Sequence, residues 1–240
     1  MSLFVIADPH LSCGTDHPMD IFGSRWQGYT EKLCKHWRAI VQPQDTVILP
    51  GDISWAMHLE QAREDFSLLE ALPGIKYLGK GNHDFWWETA AKMRRFFEAN
   101  SFSSLRLLYN NAYVVENYII CGTRGWFVEE GQQLTVGDVD YAKIVNREVQ
   151  RLKISLDAAV GLREGDHKDK EILVFLHFPP IWNGFECKEI LELLEAYGIR
   201  RCYHGHIHGV YHTPAVRYVG DLALTMISSD FLDFVPLRII

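Results

Sequence analysis

The chain has 240 residues, with 24 lysines and arginines against 31 aspartates and glutamates, so its formal net charge is −7. Hydrophobic residues make up 48% of the sequence and charged residues 23%, which is typical of a globular protein and excludes a chain that is disordered throughout. The acidic balance also disfavours a surface that coats an extended nucleic acid, because such surfaces carry an excess of Lys and Arg. The 11 histidines are the compositional feature that needs an explanation.

The compartment is indicated by the cysteines and by the apolar segments. Five cysteines are spread along the chain without a Cys-x-x-Cys pair, which is typical of proteins from a reducing compartment. No apolar run approaches the roughly 20 residues of a membrane-spanning helix, and no basic leader precedes the first apolar run. We therefore expect a cytoplasmic protein that does not contact a membrane.

Short apolar runs alternate with amphipathic segments through the first 100 residues. An apolar run of four to eight residues indicates a buried strand, and apolar residues at a spacing of three to four indicate a helix. The predicted strands cover residues 2–7, 46–50 and 75–78, and the predicted helices cover residues 26–41, 58–72 and 87–99.

The second half of the chain mixes hairpins with further strand and helix patterns. We predict a hairpin over 113–121, helices over 139–160 and 187–197, strands over 171–177 and 201–203, two or three strands within 215–240, and a charged exposed loop over 161–169. Alternation followed by hairpins predicts an α/β protein with a mixed sheet or with two packed sheets.

Five of the predicted apolar strands are followed by Asp, Asn or His. Because the carboxyl ends of parallel strands line one crevice, we expect these side chains to meet there. Oxygen and imidazole donors without a thiolate favour Mn, Fe, Zn, Ni or Co. The segments are Asp8-Pro9-His10, Gly51-Asp52, Gly81-Asn82-His83-Asp84, His177 and Gly205-His206-Ile207-His208.

The spacing within two of these segments suggests how they present their side chains. Asp8 and His10 are two residues apart, as are His206 and His208. On an extended chain, residues at this spacing point to the same side. Asp52 has two carboxylate oxygens and is a natural bridge between two cations.

The ordered set of segments resembles the calcineurin-like metallophosphoesterase superfamily, and the resemblance covers residues 8 to 208. It implies a four-layer α/β/β/α sandwich of two mixed sheets. Because the matching residues are distributed over most of the chain, we expect a single domain over 1–240.

The resemblance also implies two adjacent divalent transition metal ions, with Mn the expected metal in activity assays. Asp8, His10, Asp52 and His208 would bind the first ion, and Asp52, Asn82, His177 and His206 the second. His83 would act as an acid beside the metals, with its ring oriented by Asp84.

This arrangement predicts hydrolysis of phosphate esters by a hydroxide that bridges the two metals. Two ions about 3.5–4 Å apart lower the pKa of bound water and stabilise both the attacking and the leaving oxygen. Their charge exceeds that of Asp8, Asp52 and the hydroxide, so the local field attracts a phosphate although the whole chain is acidic. We expect a small phosphodiester or phosphomonoester as the substrate, and the oligomeric state stays open.

Other functions remain as alternatives. A catalytically silent metal-binding scaffold would be expected to lose ligands or the acid, and here all of them are present. A single-metal hydrolase of unrelated fold would bind one ion. Protein phosphatases of the superfamily show a longer Gly-Asp-x-x-Asp-Arg-Gly block and Gly-Asn-His-Glu, which this chain lacks, and its nucleases usually carry additional DNA-binding regions.

Several further residues have both a functional and a structural interpretation. Arg124 follows a predicted strand and could contact a substrate phosphate or form a structural ion pair. His58 could overhang the site or face solvent. Aromatic residues that follow the motifs could line a substrate cleft or pack in the core, and these are Trp55, Phe85, Trp86 and Trp87.

Overall fold

Two β-sheets form the centre of the fold. The structure is a computed structural model that describes residues 1–17, 19–128, 138–164 and 167–240. The first sheet has the strand order β13-β1-β2-β3-β4, in which β1 to β4 are parallel and β13 is antiparallel to β1. Its strands are β1 (Leu3–Val5), β2 (Thr46–Leu49), β3 (Ile75–Leu78), β4 (Leu105–Leu107) and β13 (Leu237–Arg238).

The second sheet has six strands in the order β11-β12-β10-β7-β6-β5. The four inner strands are parallel, and β5 and β11 close the two edges as antiparallel partners. Its strands are β5 (Asn111–Val115), β6 (Tyr118–Thr123), β7 (Glu171–Leu176), β10 (Arg201–His204), β11 (Val216–Val219) and β12 (Leu222–Met226).

Helices cover the outer face of each sheet. They are α1 (Tyr29–Ile40), α2 (Arg63–Glu70), α3 (Ala90–Ala99), α4 (Asp138–Glu164) and α5 (Lys188–Ala196). A two-stranded hairpin of β8 (Ile181–Trp182) and β9 (Phe185–Glu186) lies between β7 and α5. Among the described residues, none of the helices combines the length and the apolar character needed to cross a bilayer.

Three hydrophobic clusters separate the four layers. One packs α1, α2 and α3 on the first sheet, a second joins the inner faces of the two sheets, and a third packs α4 and α5 on the second sheet. Alternate residues of β1 point to different clusters, because Leu3 and Val5 face the second sheet and Phe4 faces the helices. The predicted α/β/β/α sandwich of two mixed sheets is therefore confirmed.

Each sheet is covered on both faces, which explains why its strands are continuous apolar runs in the sequence. Five consecutive residues of β7, from Ile172 to Leu176, are buried, as expected for a parallel strand between two packed layers. In α1, Tyr29, Leu33 and Trp37 recur every four residues and form the buried side of the helix.

Backbone hydrogen bonds continue past the ends of the strands and join the two sheets. The amide of Ala7 donates to the carbonyl of Ile227 at 2.8 Å, and the amide of Ser229 donates to the carbonyl of Ala7 at 2.9 Å. The segment after β1 thus pairs with the segment after β12 in a short parallel bridge. The carboxyl ends of the two sheets are held together at this point.

Some elements differ from the predictions. Helix α4 runs to Glu164, so the predicted loop over 161–169 is wrong in its first four residues, and its residues 165 and 166 lie outside the described part. Strand β4 and the β8–β9 hairpin were not predicted, because two- and three-residue strands are too short to show a period.

Lys76 in β3 is fully buried. Its ammonium group donates hydrogen bonds to the carbonyl of Leu72 and, at 2.9 Å, to the hydroxyl of Ser104. Burial lowers the pKa of Lys76 to about 8, against an attraction to Glu70 that raises it. The charged form of this lysine is therefore destabilised in the folded chain.

A Lys76→Met variant tests the cost of this buried charge. In the unfolded chain the pKa of a lysine is about 10.4, so above about pH 8 the unfolded chain binds more protons than the folded chain. The free energy of unfolding of the wild type should therefore rise with pH in this window. Between about pH 7 and about pH 10 we expect its free energy of unfolding to rise by about 1–3 kcal/mol relative to Lys76→Met. Urea denaturation at both pH values measures the difference, and parallel pH slopes would contradict it.

Candidate metal centre

Six side chains with metal-binding atoms converge at the carboxyl ends of the two sheets. The first ligand group consists of Asp8, His10 and His208, and the second ligand group consists of Asp52, His177 and His206. Within each group the donor atoms lie within 4.8 Å of one another, which is close enough to hold one ion. The strands that precede these residues belong to different sheets, so the site depends on the packing of one sheet on the other.

Asp52 lies between the two ligand groups. Its Oδ2 atom is 3.6 Å from Nε2 of His10 and 3.5 Å from Nε2 of His177. The same oxygen is buried without a hydrogen-bond partner, whereas Oδ1 accepts a hydrogen bond from the amide of His83 at 2.8 Å. One oxygen is thus held by the backbone and the other is available to both groups.

The first ligand group brings the ring nitrogens of two imidazoles together, with the ring planes tilted by 57°. Nε2 of His10 and Nε2 of His208 are 3.2 Å apart. Oδ1 of Asp8 is buried without a hydrogen bond and lies 3.3 Å from Nδ1 of His177. Asn82, which the resemblance assigns to the second ion, places Oδ1 2.7 Å from Nε2 of His177.

These features fit divalent cations. Buried carboxylate oxygens without hydrogen bonds carry a large desolvation cost, which a bound cation offsets. Burial lowers the pKa of His10 well below its usual range and that of His206 to about 3. Both imidazoles are therefore neutral at pH 7 and keep a lone pair for a metal.

The backbone at the ligands is left-handed. The φ angles are +56° at Asp8, +45° at His10, +50° at Asp52 and +71° at His206. Non-glycine residues seldom adopt positive φ, and such strain is concentrated at functional sites. Asp8 and His10 do belong to one ligand group, as expected, but the predicted extended backbone is wrong, because left-handed turns direct these side chains.

Two glycines allow the backbone to approach the carboxylates. A Cβ atom on Gly81 would lie 2.0 Å from Oδ1 of Asp52, and one on Gly205 would lie 2.4 Å from Oδ2 of Asp8. The amide next to Gly205, that of His206, donates to the same Oδ2 atom of Asp8 at 2.8 Å. Any larger side chain at either glycine would displace a candidate ligand.

Asp84 has a different role from the one expected. Its two oxygens accept hydrogen bonds from the amides of Asp52, Ile53, Ser54 and Gly81, at 2.7 to 3.3 Å, and from the indole of Trp86 at 3.0 Å. The expectation that Asp84 orients the ring of His83 is therefore wrong. This buried carboxylate instead ties the loop after β2 to the loop after β3.

His83 lies at the edge of the centre and is half-buried. Its ring centroid is 4.5 Å from that of Trp55 and 5.7 Å from that of His10. Burial, and then the nearby charges of His177 and His208, lower the pKa of His83. His83 thus lies beside the first ligand group.

For other residues that had two interpretations, the structure distinguishes those that border the site from those that do not. Trp55 stacks on His10 at 4.9 Å, and Phe85 is 55% exposed with its ring 6.2 Å from His83, so both border the site. Trp86 is fully buried in the core. His58 is exposed and interacts only locally with the amide of Gln61 among its described contacts.

Arg124 forms a structural ion pair. Its guanidinium group is 3.4 Å from the buried carboxylate of Glu148, which also binds Arg151 at 2.6 Å. The backbone carbonyl of Arg124 accepts a hydrogen bond from the amide of His177 at 3.1 Å. The ion-pair interpretation therefore holds.

Asp230 was missed by the sequence analysis. Its side chain is fully buried, and Oδ1 accepts a hydrogen bond from Nδ1 of His208 at 2.8 Å. Oδ2 accepts hydrogen bonds from the amide of Gly209 at 2.9 Å and from the hydroxyl of Tyr211 at 3.2 Å. The signal was present, since Asp230 follows β12 just as the ligands follow their strands, but the family motifs do not include it.

The fold and the two ligand groups define a metal-dependent hydrolase architecture. The chain belongs to the calcineurin-like phosphoesterase family, whose model matches residues 1–210. Together, the family and the ligand groups support metal-dependent hydrolysis of phosphoesters in general. No curated protein sequence matches the chain.

Several solved structures share the fold at low sequence identity. A protein of unknown function from Aquifex aeolicus is 15% identical with a TM-score of 0.52, and the alignment covers 99% of this chain and 95% of that one. The phosphopantetheinyl hydrolase from Mycobacterium tuberculosis is 13% identical with a TM-score of 0.52, over 95% and 88% of the two chains. A Thermus thermophilus protein is 13% identical with a TM-score of 0.55, over 95% and 89%.

An Asp230→Asn variant tests whether this carboxylate orients His208. An amide cannot hold the imidazole tautomer as a carboxylate does, so we expect the affinity for Mn²⁺ to fall by about 10–100-fold. Calorimetric titration of metal-free protein with Mn²⁺ measures the affinity. Asp221→Asn, a change at an exposed position in the β11–β12 turn, is the matched control. Equal affinities in the two variants would show that Asp230 does not position the ligand.

Proposed function

We propose that the chain hydrolyses phosphate esters of small molecules with two divalent cations, one bound by each ligand group. The observation that carries this proposal is the position of Asp52, whose unpaired oxygen lies within 3.6 Å of a histidine from each group. A carboxylate shared in this way supports two adjacent ions. Asn82 would complete the second ligand group.

When bound, the two cations would lower the pKa of a water molecule shared between them and would stabilise the attacking and leaving oxygens of the phosphoryl group. The protein residues hold this arrangement rigidly. Asp84 fixes the loops that carry Asp52 and Asn82, and Asp230 fixes the ring of His208. Such preorganised groups need little rearrangement as charge develops on the phosphate.

His83 would contact the phosphate or its leaving oxygen. Its lowered pKa favours the neutral imidazole at pH 7. A neutral imidazole still donates one N–H hydrogen bond, and it can stabilise an oxygen that gains negative charge. We therefore propose hydrogen-bond donation by neutral His83 as its main contribution, with proton transfer to the leaving oxygen only from the imidazolium form.

The composition and the topology support proposals on the compartment, the number of domains and the size of the substrate. All five cysteines are free, which supports a reducing cytoplasm. The ligands come from both sheets, which supports one domain over 1–240. The net charge of −7 supports a small substrate over an extended nucleic acid.

Two variants test the proposal on p-nitrophenyl phosphate and bis-p-nitrophenyl phosphate with added Mn²⁺. Asp52→Asn should lose both turnover and bound metal, because it removes the shared charge. His83→Ala should lower kcat by about 100- to 10,000-fold with the metal content unchanged. His58→Ala is the matched control, as an exposed histidine in a neighbouring loop.

Two results would contradict different parts of the proposal. Wild-type protein that binds two ions and hydrolyses neither ester would favour the catalytically silent scaffold. A His83→Ala variant with normal kcat would remove His83 from the reaction while leaving the metal centre intact.

A further inference from the structure

An aromatic recess adjoins the metal centre. Its volume is about 530 Å³, and its wall includes the candidate ligands His206 and His208. Most of the other lining residues carry apolar or aromatic side chains, among them Phe127, Trp182, Phe185 and Val210, and Asn183 adds a polar one. Neither Phe127 nor Trp182 belongs to a family motif quoted above.

The β8–β9 hairpin and its contacts hold part of the recess wall in place. Trp182 and Phe185 are paired across the β8–β9 hairpin, whose turn residues Asn183 and Gly184 have φ angles of +44° and +86°. Two left-handed residues form the tight turn that matches the twist of a hairpin. The guanidinium of Arg217 lies over Trp182, 4.4 Å from the ring centre, and helps to fix its position.

The aromatic wall contacts a metal ligand directly. The ring of Phe127 packs edge-on against Phe185 at 5.0 Å and against His206 at 5.5 Å. A group attached to a phosphorus atom at the second ligand group would therefore reach this wall. The described part of its lining offers aromatic and aliphatic side chains to that group and contains no Asp, Glu, Lys or Arg.

His83 and the recess contact different rings of the centre. The rings in contact with His83 are His10, Trp55 and Phe85. The rings in contact with His206 are Phe127, His177 and Phe178, and the two sets share no member. A leaving group that interacts with His83 is thus separated from a group held in the recess.

We propose that the recess binds a planar aromatic substituent that stays on the phosphorus, so that the physiological substrate is a phosphodiester. This inference rests on the proposed function and specifies its substrate class. In the reaction, an oxygen from water forms a bond to phosphorus and the bond to the leaving alcohol oxygen breaks. The alcohol oxygen takes up a proton, and the aromatic group remains in the recess as part of the monoester product.

A phosphomonoester would leave the recess empty. An aromatic substituent gains apolar burial and aromatic contacts there, which together amount to a preference of about tenfold or more over a methyl group. The recess therefore distinguishes diesters by the group that is retained, independently of the group that departs.

Three substrates with the same leaving group, p-nitrophenolate, test the proposal. They are p-nitrophenyl phosphate, methyl p-nitrophenyl phosphate and phenyl p-nitrophenyl phosphate. For the wild type we expect kcat/KM to be about tenfold or more higher for the phenyl diester than for the methyl diester. The monoester should be the poorest of the three.

Two variants alter the recess in opposite ways. Phe127→Ala removes its wall and Val210→Phe fills its volume, and both should reduce the phenyl-to-methyl ratio by about tenfold. Phe22→Ala, at a position that is 62% exposed and away from the recess, should retain the wild-type ratio. The metal content of each variant confirms that His206 still binds its ion.

The outcomes separate this inference from the function on which it rests. Activity of the wild type with an unchanged ratio in both recess variants would overturn the inference and leave the phosphoesterase intact. A wild type that prefers the monoester would do the same. A metal-loaded wild type that is inactive on all three substrates would overturn both proposals.

Discussion

The concentration of buried, unpaired ligand atoms at one end of the two sheets is the constraint on which the rest of the structure depends. Asp8 and Asp52 are buried, and each has an oxygen without a hydrogen bond. Burial raises the pKa of Asp52 to about 7, in spite of the neighbouring charge of His177. Positive charge stabilises such a cluster, and divalent cations bound by the two ligand groups would supply it.

Around this cluster the backbone is strained, and a dense set of hydrogen bonds holds it in place. Four candidate ligands have left-handed φ angles, and the surrounding contacts hold them in this conformation; they are Asp8, His10, Asp52 and His206. Asp84 accepts four backbone amides and an indole, and by doing so it holds two ligand loops in one geometry. The centre is therefore organised by backbone contacts as much as by the ligands themselves.

The ligands were predictable because they follow a local rule. Each comes directly after a short apolar strand, and parallel strands bring their carboxyl ends to one edge. The positions of His10 and His208 could be read in this way, but their geometry could not, since it depends on left-handed turns and on contacts 198 residues apart. The role of Asp84 likewise depends on amides from a distant loop.

The recess and Asp230 were beyond the sequence analysis for a related reason. Trp182 and Phe185 belong to a hairpin whose strands have two residues each, and a pattern of that length carries no period. Asp230 follows β12 and obeys the strand-end rule, yet a single aspartate after a strand is usually only a turn residue. In both cases the function follows from side chains that meet only in the folded chain.

The acidic net charge and an anionic substrate are compatible because the two act over different distances. The charge of −7 belongs to the whole surface, whereas the field at the phosphate is set by the nearest cations. Crystals grown with Mn²⁺ and measured by anomalous diffraction test this account most directly. It predicts two peaks about 3.5–4 Å apart with the carboxylate of Asp52 between them. A single peak, or two peaks that do not share Asp52, would contradict it.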